Sequence, residues 1–149
     1  MTNIATQGFQ LSVRDITRLN SVHPDLVKVI HAAAARSAIL FVVTEGERTK
    51  AVQQEYVRTG KSKTMRSRHL PESNACNLSC AVDLAVWEDR DADKVVDVDE
   101  ISWKFPQYQA LALVVKEAAA SLCIAIEWGG DWPNFKDGPH FQLPWGEYP

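Results

Sequence analysis

Cysteine is scarce in this chain, with 3 among 149 residues. That odd number excludes a complete disulfide framework of the kind that staples small secreted domains. Long apolar stretches are missing too. None exceeds the six residues of 38–43, whereas a membrane-spanning helix needs about 20. Basic charge is not in excess: 16 Lys and Arg against 19 Asp and Glu leave a net charge of −3. This removes the broad cationic face of a nucleic-acid-binding protein. The sequence shows no internal repeat and no low-complexity tract, which excludes solenoids and fibrous arrays. Residues 1–10 carry neither a basic n-region nor an apolar core, so no standard secretory signal is read there. What remains is 46% apolar and 23% charged residues. That is the composition of one globular domain able to bury about two-thirds of its unfolded surface. A soluble chain synthesised in the cytosol is expected.

The hydrophobic pattern predicts helices and strands in one unit. Ser12 and Asp15 form a weak capping pair for a short helix ending near Asn20. Pro24 suits a first helical position, and residues 24–36 place Leu26, Ile30, Ala33 and Ala34 on one face. Residues 39–44 read as a buried strand, and residues 49–58 as a helix stopped by Gly60. Residues 61–79 are polar and irregular, a long loop of the kind that is usually functional or mobile. Arg58, Lys61, Lys63, Arg66 and Arg68 are read as a solvated basic cluster that could attract acidic partners. Residues 80–87 alternate, with Ala81, Asp83 and Ala85 on one face and Val82, Leu84 and Val86 on the other. Residues 88–100 form an acidic excursion, read as a solvated loop. The clearest helix is 107–122, where Tyr108, Leu111, Val115, Ala118 and Leu122 recur at steps of three and four. Residues 124–128 and 140–143 read as two further strands. Helices first and strands later predict an α+β fold in a single compact domain over residues 1–149.

Few side chains can carry chemistry. Of 4 histidines, His23 precedes a helix-starting proline and His31 lies among alanines, so both are read as structural. His69 and His140 stand in polar, punctuated segments. Asp83 sits within an apolar strand, where a charge costs several kcal/mol unless it is paired, hydrogen-bonded or bound to metal; facing solvent would also satisfy it. Two nitrogens and one oxygen from His69, Asp83 and His140 would leave a tetrahedral zinc ion one open position for water. Zinc lowers the pKa of such a water to about 7. Asp137, three residues before His140 across Gly138-Pro139, is a candidate proton acceptor, although a turn favouring Asp-Gly explains it equally well. Arg48, at a strand-to-helix junction, is a candidate cation for a developing oxyanion.

Taken in order, several strings carry a family likeness. They are Ser67-Arg-His69, Ala81-Val-Asp83-Leu, Trp128-Gly-Gly-Asp-Trp132 and Asp137-Gly-Pro-His140. Val22-His-Pro-Asp-Leu-Val27, Glu45-Gly-Glu-Arg-Thr49 and Gly60-Lys-Ser-Lys-Thr64 support them. The set resembles phage endolysins of the zinc L-alanyl-D-glutamate peptidase type, relatives of the D-Ala-D-Ala dipeptidases and carboxypeptidases. The resemblance spans about residues 18–143 and implies a small antiparallel sheet flanked by helices. It also implies one zinc ion per chain held by His69, Asp83 and His140, with Asp137 as catalytic acid and base and Arg48 polarising the scissile carbonyl. Ser67 would support the site, while Trp128, Asp131 and Trp132 would shape its substrate-binding wall. The implied substrate is the peptidoglycan stem peptide, cut between L-alanine and D-glutamate to lyse a bacterial host. A monomer without a separate cell-wall-binding domain is expected, held in the host cytoplasm until a holin-type route releases it to the periplasm and wall.

One departure from the family stands out: His69 and Asp83 are fourteen residues apart, where the family usually has seven. An added surface loop costs little closure entropy, so the ligands can still converge. The inserted Cys76 and Cys80 offer a rival thiolate site, or else remain loop thiols or a local disulfide, while Cys123 is expected in the core. Other readings keep the metal and change the task. They are a D,D-carboxypeptidase or dipeptidase acting on D-Ala-D-Ala, a non-haem iron centre, and a non-catalytic, zinc-stabilised cell-wall-binding module.

Overall fold

A computed structural model describes residues 8–149; residues 1–7 of the stretch read as lacking a secretory signal lie outside it. Helix α1 (Val13–Arg18) begins with the predicted capping box, Ser12 and Asp15 each accepting from the other's backbone N–H. Asp15 is buried, and its second carboxylate oxygen accepts from Val43 N at 2.9 Å, tying α1 to the sheet. Helix α2 (Pro24–Arg36) starts as expected, with His23 as N-cap accepting from Asp25 N. The remaining elements are β1 (Phe41–Glu45), α3 (Lys50–Arg58), β2 (Ala81–Trp87), β3 (Ile101–Ser102), α4 (Phe105–Ser121), β4 (Glu127–Trp128) and β5 (His140–Gln142). Short 3-10 turns occupy Pro71–Ser73, Val98–Glu100 and Gly129–Asp131.

The five strands form one antiparallel sheet in the order β1-β2-β5-β4, with β3 pairing the far end of β2. This is the α+β architecture the pattern predicts. Val82, Leu84 and Val86 join Phe41, Val43 and Phe141 in the core beneath α2 and α4. Those helices contribute Leu26, Val29 and Ile30 on one side and Leu111, Val115 and Ala118 on the other. Each large aliphatic side chain buried there contributes about 1.5–3 kcal/mol. Because strand side chains alternate, the same register that buries Val82 and Leu84 turns Asp83 to the opposite face.

Three expectations need correction. Residues 88–100 are not solvated throughout. Glu100 is buried and accepts from Trp87 Nε1 and from Arg90 N, and the two-residue strand β3 follows it. Arg68 is not part of a solvated basic cluster. It is buried, donating to the carbonyls of Leu143 and Tyr148 and to Asn74 Oδ1 at 2.5 Å. Cys123 is exposed rather than in the core, because the chain reverses there. Its φ is +57°. Its N–H bonds to Ala120 O while Ile124 N bonds to Ala119 O, a helix stop in which glycine usually takes the left-handed position.

A non-glycine residue in that conformation costs about 1–2 kcal/mol, part of which glycine gives back through its freer unfolded chain. Cys123→Gly therefore raises stability by about 0.5–1 kcal/mol, seen as an upward shift of the thermal midpoint. An unchanged or lower midpoint contradicts this account of the turn.

Candidate metal centre

The sheet register assembles the site from three neighbouring strands. Glu45 on β1 lies opposite Asp83 on β2, and Asp83 lies opposite His140 on β5. His69 enters from the loop before β2. The fourteen-residue separation is absorbed by a pinch at the base of that loop, where Cys80 N donates to Arg68 O at 2.8 Å. Inside the loop, Asn74 Nδ2 donates to the carbonyls of Arg68, Leu70 and Leu78. Buried carbonyls that would otherwise lack donors are thus satisfied by one amide.

Both histidines are fixed by partners behind them. His69 Nδ1 donates to Gly46 O at 2.7 Å, which leaves Nε2 free to face Asp83. A side chain at Gly46 would meet Arg18 O at 2.3 Å, so only glycine lets this carbonyl come so close. His140 Nε2 donates to Gln142 Oε1 at 2.8 Å, and Gln142 in turn donates to Glu127. The Nδ1 of His140 therefore faces Asp83. Such outer partners set the tautomer and orientation of metal-binding imidazoles.

Asp83 Oδ1 lies 3.3 Å from His69 Nε2 and 3.3 Å from His140 Nδ1. A charge-assisted hydrogen bond would close to about 2.7–2.9 Å. An ion with tetrahedral bonds of about 2.0–2.1 Å instead spaces its ligands about 3.3–3.4 Å apart. His69 Nε2 and Asp83 Oδ1 are also buried without hydrogen-bond partners, a costly state unless a cation lies between them. The donor set thus fits a divalent metal ion. The rival thiols lie elsewhere: Cys76 and Cys80 contact each other at 3.8 Å. Burial pushes the Cys80 thiol up to about 12, which keeps it protonated and a poor ligand.

The group lies in a cleft of about 870 Å³ that Arg48, Ser67, Trp132 and Asp137 also line. Arg48 donates through Nε to Glu45 at 2.9 Å and through one terminal nitrogen to Gln53 at 2.7 Å, and its guanidinium lies over the Tyr56 ring. Its other terminal nitrogen contacts Glu45 as well and lies 3.9 Å from Asp83 Oδ2. Ser67 Oγ accepts from His69 N at 3.2 Å. Trp132 tilts against the His140 ring with centroids 5.0 Å apart. Burial first, then the negative charge of Asp83, raise the Asp137 carboxyl above the ordinary aspartate range, partly countered by His140, His69 and Arg48.

Trp128 and Asp131 stand outside this lining. Trp128 is buried beneath the site, its Nε1 donating to Gly138 O at 2.7 Å, where it supports the turn before His140. Asp131 points to the surface and pairs with Lys116. Glu45, Gln53, Gln142 and Glu127 were not singled out from the sequence. Gln142 could have been, since two residues along a strand from His140 it must share that residue's face. Gln53 carried no signal, because its role depends on where the loop at Ser62 and Thr64 returns to it.

The sequence model of the phage L-alanyl-D-glutamate peptidase family matches residues 7–143. Over 140 residues, 90% of this chain, the sequence is 30% identical to the peptidoglycan L-alanyl-D-glutamate endopeptidase CwlK of Bacillus subtilis (strain 168), covering 80% of that protein. It is also 30% identical over 112 residues to the L-alanyl-D-glutamate peptidase of Listeria phage A118. That match takes in 75% of this chain but spans only 33% of the phage protein. The crystal structure of the Serratia marcescens L-Ala D-Glu endopeptidase ChiX is similar with a TM-score of 0.77 and 38% sequence identity, over 93% of this chain and 92% of that one.

The titrations of Asp83 and His140 give a test in metal-free protein. Burial works against the Asp83 carboxylate, but the facing imidazoles outweigh it and hold its pKa below the usual 3.8. Burial likewise opposes His140 protonation, and Asp83 reverses this, raising its pKa above 6.5. The Asp83 contribution to stability is complete above 3.8 and fades as pH falls below it. The His140 contribution is complete below 6.5 and fades as pH climbs through the raised value. Together they contribute most between about pH 4 and 6.5. With chelator present, urea unfolding therefore shows wild-type protein losing stability between pH 5.5 and 8.5 relative to His140→Gln; parallel profiles contradict this.

Proposed function

The chain belongs to the phage L-alanyl-D-glutamate peptidase family, and from that membership we propose a zinc-dependent hydrolysis of the L-alanyl-D-glutamate bond in peptidoglycan stem peptides. Support comes above all from one observation: two imidazole lone pairs directed at one buried carboxylate oxygen, each 3.3 Å from it. Zinc is the natural ion for such a nitrogen-rich, three-ligand set with an open position, and when bound it supplies Lewis acidity that makes water nucleophilic near neutral pH.

This chain's own residues would do the rest. The raised pKa of Asp137 suits a group that takes a proton from the attacking water and returns it to the departing amine of D-glutamate. The new C–O bond forms at the L-alanine carbonyl carbon as the C–N bond breaks. Arg48 carries a planar guanidinium with five N–H donors. Glu45 and Gln53 hold its guanidinium beside the triad, so it meets the negative charge growing on the scissile carbonyl oxygen with little reorganisation. Trp132, leaning on His140, closes one side of the cleft against solvent.

The outer wall of the cleft carries Lys61, Lys63 and Arg66. Lys61 sits over Tyr56 and Arg66 over Trp145, at 4.3 and 4.0 Å. The D-glutamate beside the scissile amide keeps a free carboxylate, and these cations suit it. A protein of this kind, acting as a monomer, would reach its substrate through a holin-type pore and so lyse the host. No helix among the described residues is long and apolar enough to cross a membrane.

Mass spectrometry of digested peptidoglycan should reveal new N-terminal D-glutamate, or isoglutamine where the stem is amidated, and chelation should abolish it. Asp137→Ala should retain the metal and lose at least about 100-fold in rate. Release of terminal D-alanine alone would instead identify a carboxypeptidase, undiminished lysis by Asp137→Ala would assign the base to a different residue, and a wild-type protein that binds peptidoglycan without cutting it would favour a binding module. Arg66→Gln should raise KM several-fold with kcat unchanged for stems bearing free D-glutamate, and leave amidated stems unaffected. Equal effects on both stems would remove Arg66 from carboxylate recognition.

A further inference from the structure

A second group of oxygens lies away from the cleft, between β2 and β3. There the chain reads Asp89-Arg-Asp-Ala-Asp93-Lys-Val-Val-Asp97-Val-Asp-Glu100. One carboxylate oxygen each from Asp89, Asp91, Asp93 and Glu100 lies within 4.8 Å of the others. Asp89 Oδ1 is sealed from solvent and receives no hydrogen bond, and Glu100 is 4% exposed. The loop's own cations do not answer this charge. Arg90 turns back to Asp99 O and Glu88, and Lys94 makes no ion pair among the described residues. Asp97 registers the crowding: partial desolvation, then the charges of Glu100, Asp93, Asp91 and Asp99, push its carboxyl up. A buried, unpartnered carboxylate oxygen among other carboxylates is a costly arrangement unless a cation occupies it.

The spacing indicates which cation. Calcium-binding loops of twelve residues take ligands at positions 1, 3, 5, 7, 9 and 12, with a glutamate at 12 and a left-handed residue at 6. Counted from Asp89, those positions fall on Asp89, Asp91, Asp93, the Val95 main chain, Asp97 and Glu100. Position 6 is Lys94, with φ +61°, where glycine is usual. Its N–H donates to Asp89 Oδ2 at 3.1 Å, and Val95 N donates to Asp93 Oδ1 at 2.8 Å, curling the backbone around the oxygens. We infer that residues 89–100 form a calcium site, separate from the catalytic metal centre. All-oxygen coordination with a glutamate at position 12 favours calcium over magnesium, which demands a tighter octahedron and keeps its waters.

The site has a route to the cleft. Glu100 leads straight into β3, which pairs with the end of β2, and Trp103 just beyond β3 lines the cleft wall. Calcium there clamps the β2–β3 connection and sets the position of Trp103.

Calcium chloride titrated into purified full-length protein with its catalytic metal in place tests this by calorimetry and thermal melting. One calcium ion per chain is expected, with magnesium binding at least about tenfold more weakly. The thermal midpoint should rise by about 5–10 °C at a hundredfold excess over Kd. The exposed pair Asp91→Ala and Asp93→Ala should weaken binding by at least about 100-fold, and Glu100→Gln should weaken it in protein whose near-ultraviolet circular dichroism is unchanged. His69→Ala should leave calcium binding intact. The inference is overturned by a wild-type protein silent to about 10 mM calcium, by undiminished binding in the double variant, or by binding lost in His69→Ala.

Discussion

A carboxylate in the middle of a core strand is the constraint around which this molecule is organised. Asp83 occupies a strand whose neighbours Val82 and Leu84 are fully buried, and an unpaired charge there would cost several kcal/mol. The sheet answers by register. His140 stands opposite on β5, Glu45 stands opposite on β1 and brings Arg48 with it, and His69 closes over the top. The His69, His140 and Arg48 side chains around Asp83 are in turn held by other groups, Gly46 behind His69, Gln142 and Glu127 behind His140, and Gln53 behind Arg48. The candidate metal centre is therefore a property of the whole sheet, and a slip of one residue between β2 and β5 would turn Asp83 into the hydrophobic core.

Two layers of polar support do different work. The inner one orients the His69 and His140 rings toward Asp83. The outer one, Arg68 with Asn74 and the carbonyls of Leu143 and Tyr148, joins the loop before β2 to the chain after β5. It also flattens Arg68 and Arg66 onto Trp145, with each guanidinium 4.0 Å from the ring centre. Arginine suits this place because its planar fork can donate in several directions while its face stacks on an indole.

Much of this was legible in the sequence, and the reason differs from element to element. Helices α2 and α4 declare themselves because burial repeats at helical spacing over 13 and 17 residues. Strand β3 does not, since two residues cannot show alternation. His69, Asp83 and His140 could be singled out because an aspartate within an apolar strand and two histidines in punctuated segments are rare types in rare places. Residues that act through tertiary hydrogen bonds, such as Gln53 and the buried Arg68, have no such mark, because their partners are set by where loops return. Trp128 misled for a related reason: an indole in a glycine-rich turn looks like a binding wall, yet its N–H is spent on Gly138 O. The acidic run misled in the opposite direction, because charge density suggested solvent while Glu100 is buried among donors.

The pinch between Arg68 O and Cys80 N gives the loop it closes an unusual independence. Cys76 and Asn77 at its crest are exposed, and the anchors of the loop flank them, among them Ala75, whose N–H donates to Pro149 O at 2.9 Å. Peptide spliced into that crest would enlarge a ring whose neck is already fastened, at an entropic cost growing only logarithmically with length. The crest is thus a natural graft point, where a cell-surface-recognising segment could be carried beside the hydrolytic cleft without moving the imidazole that the neck secures.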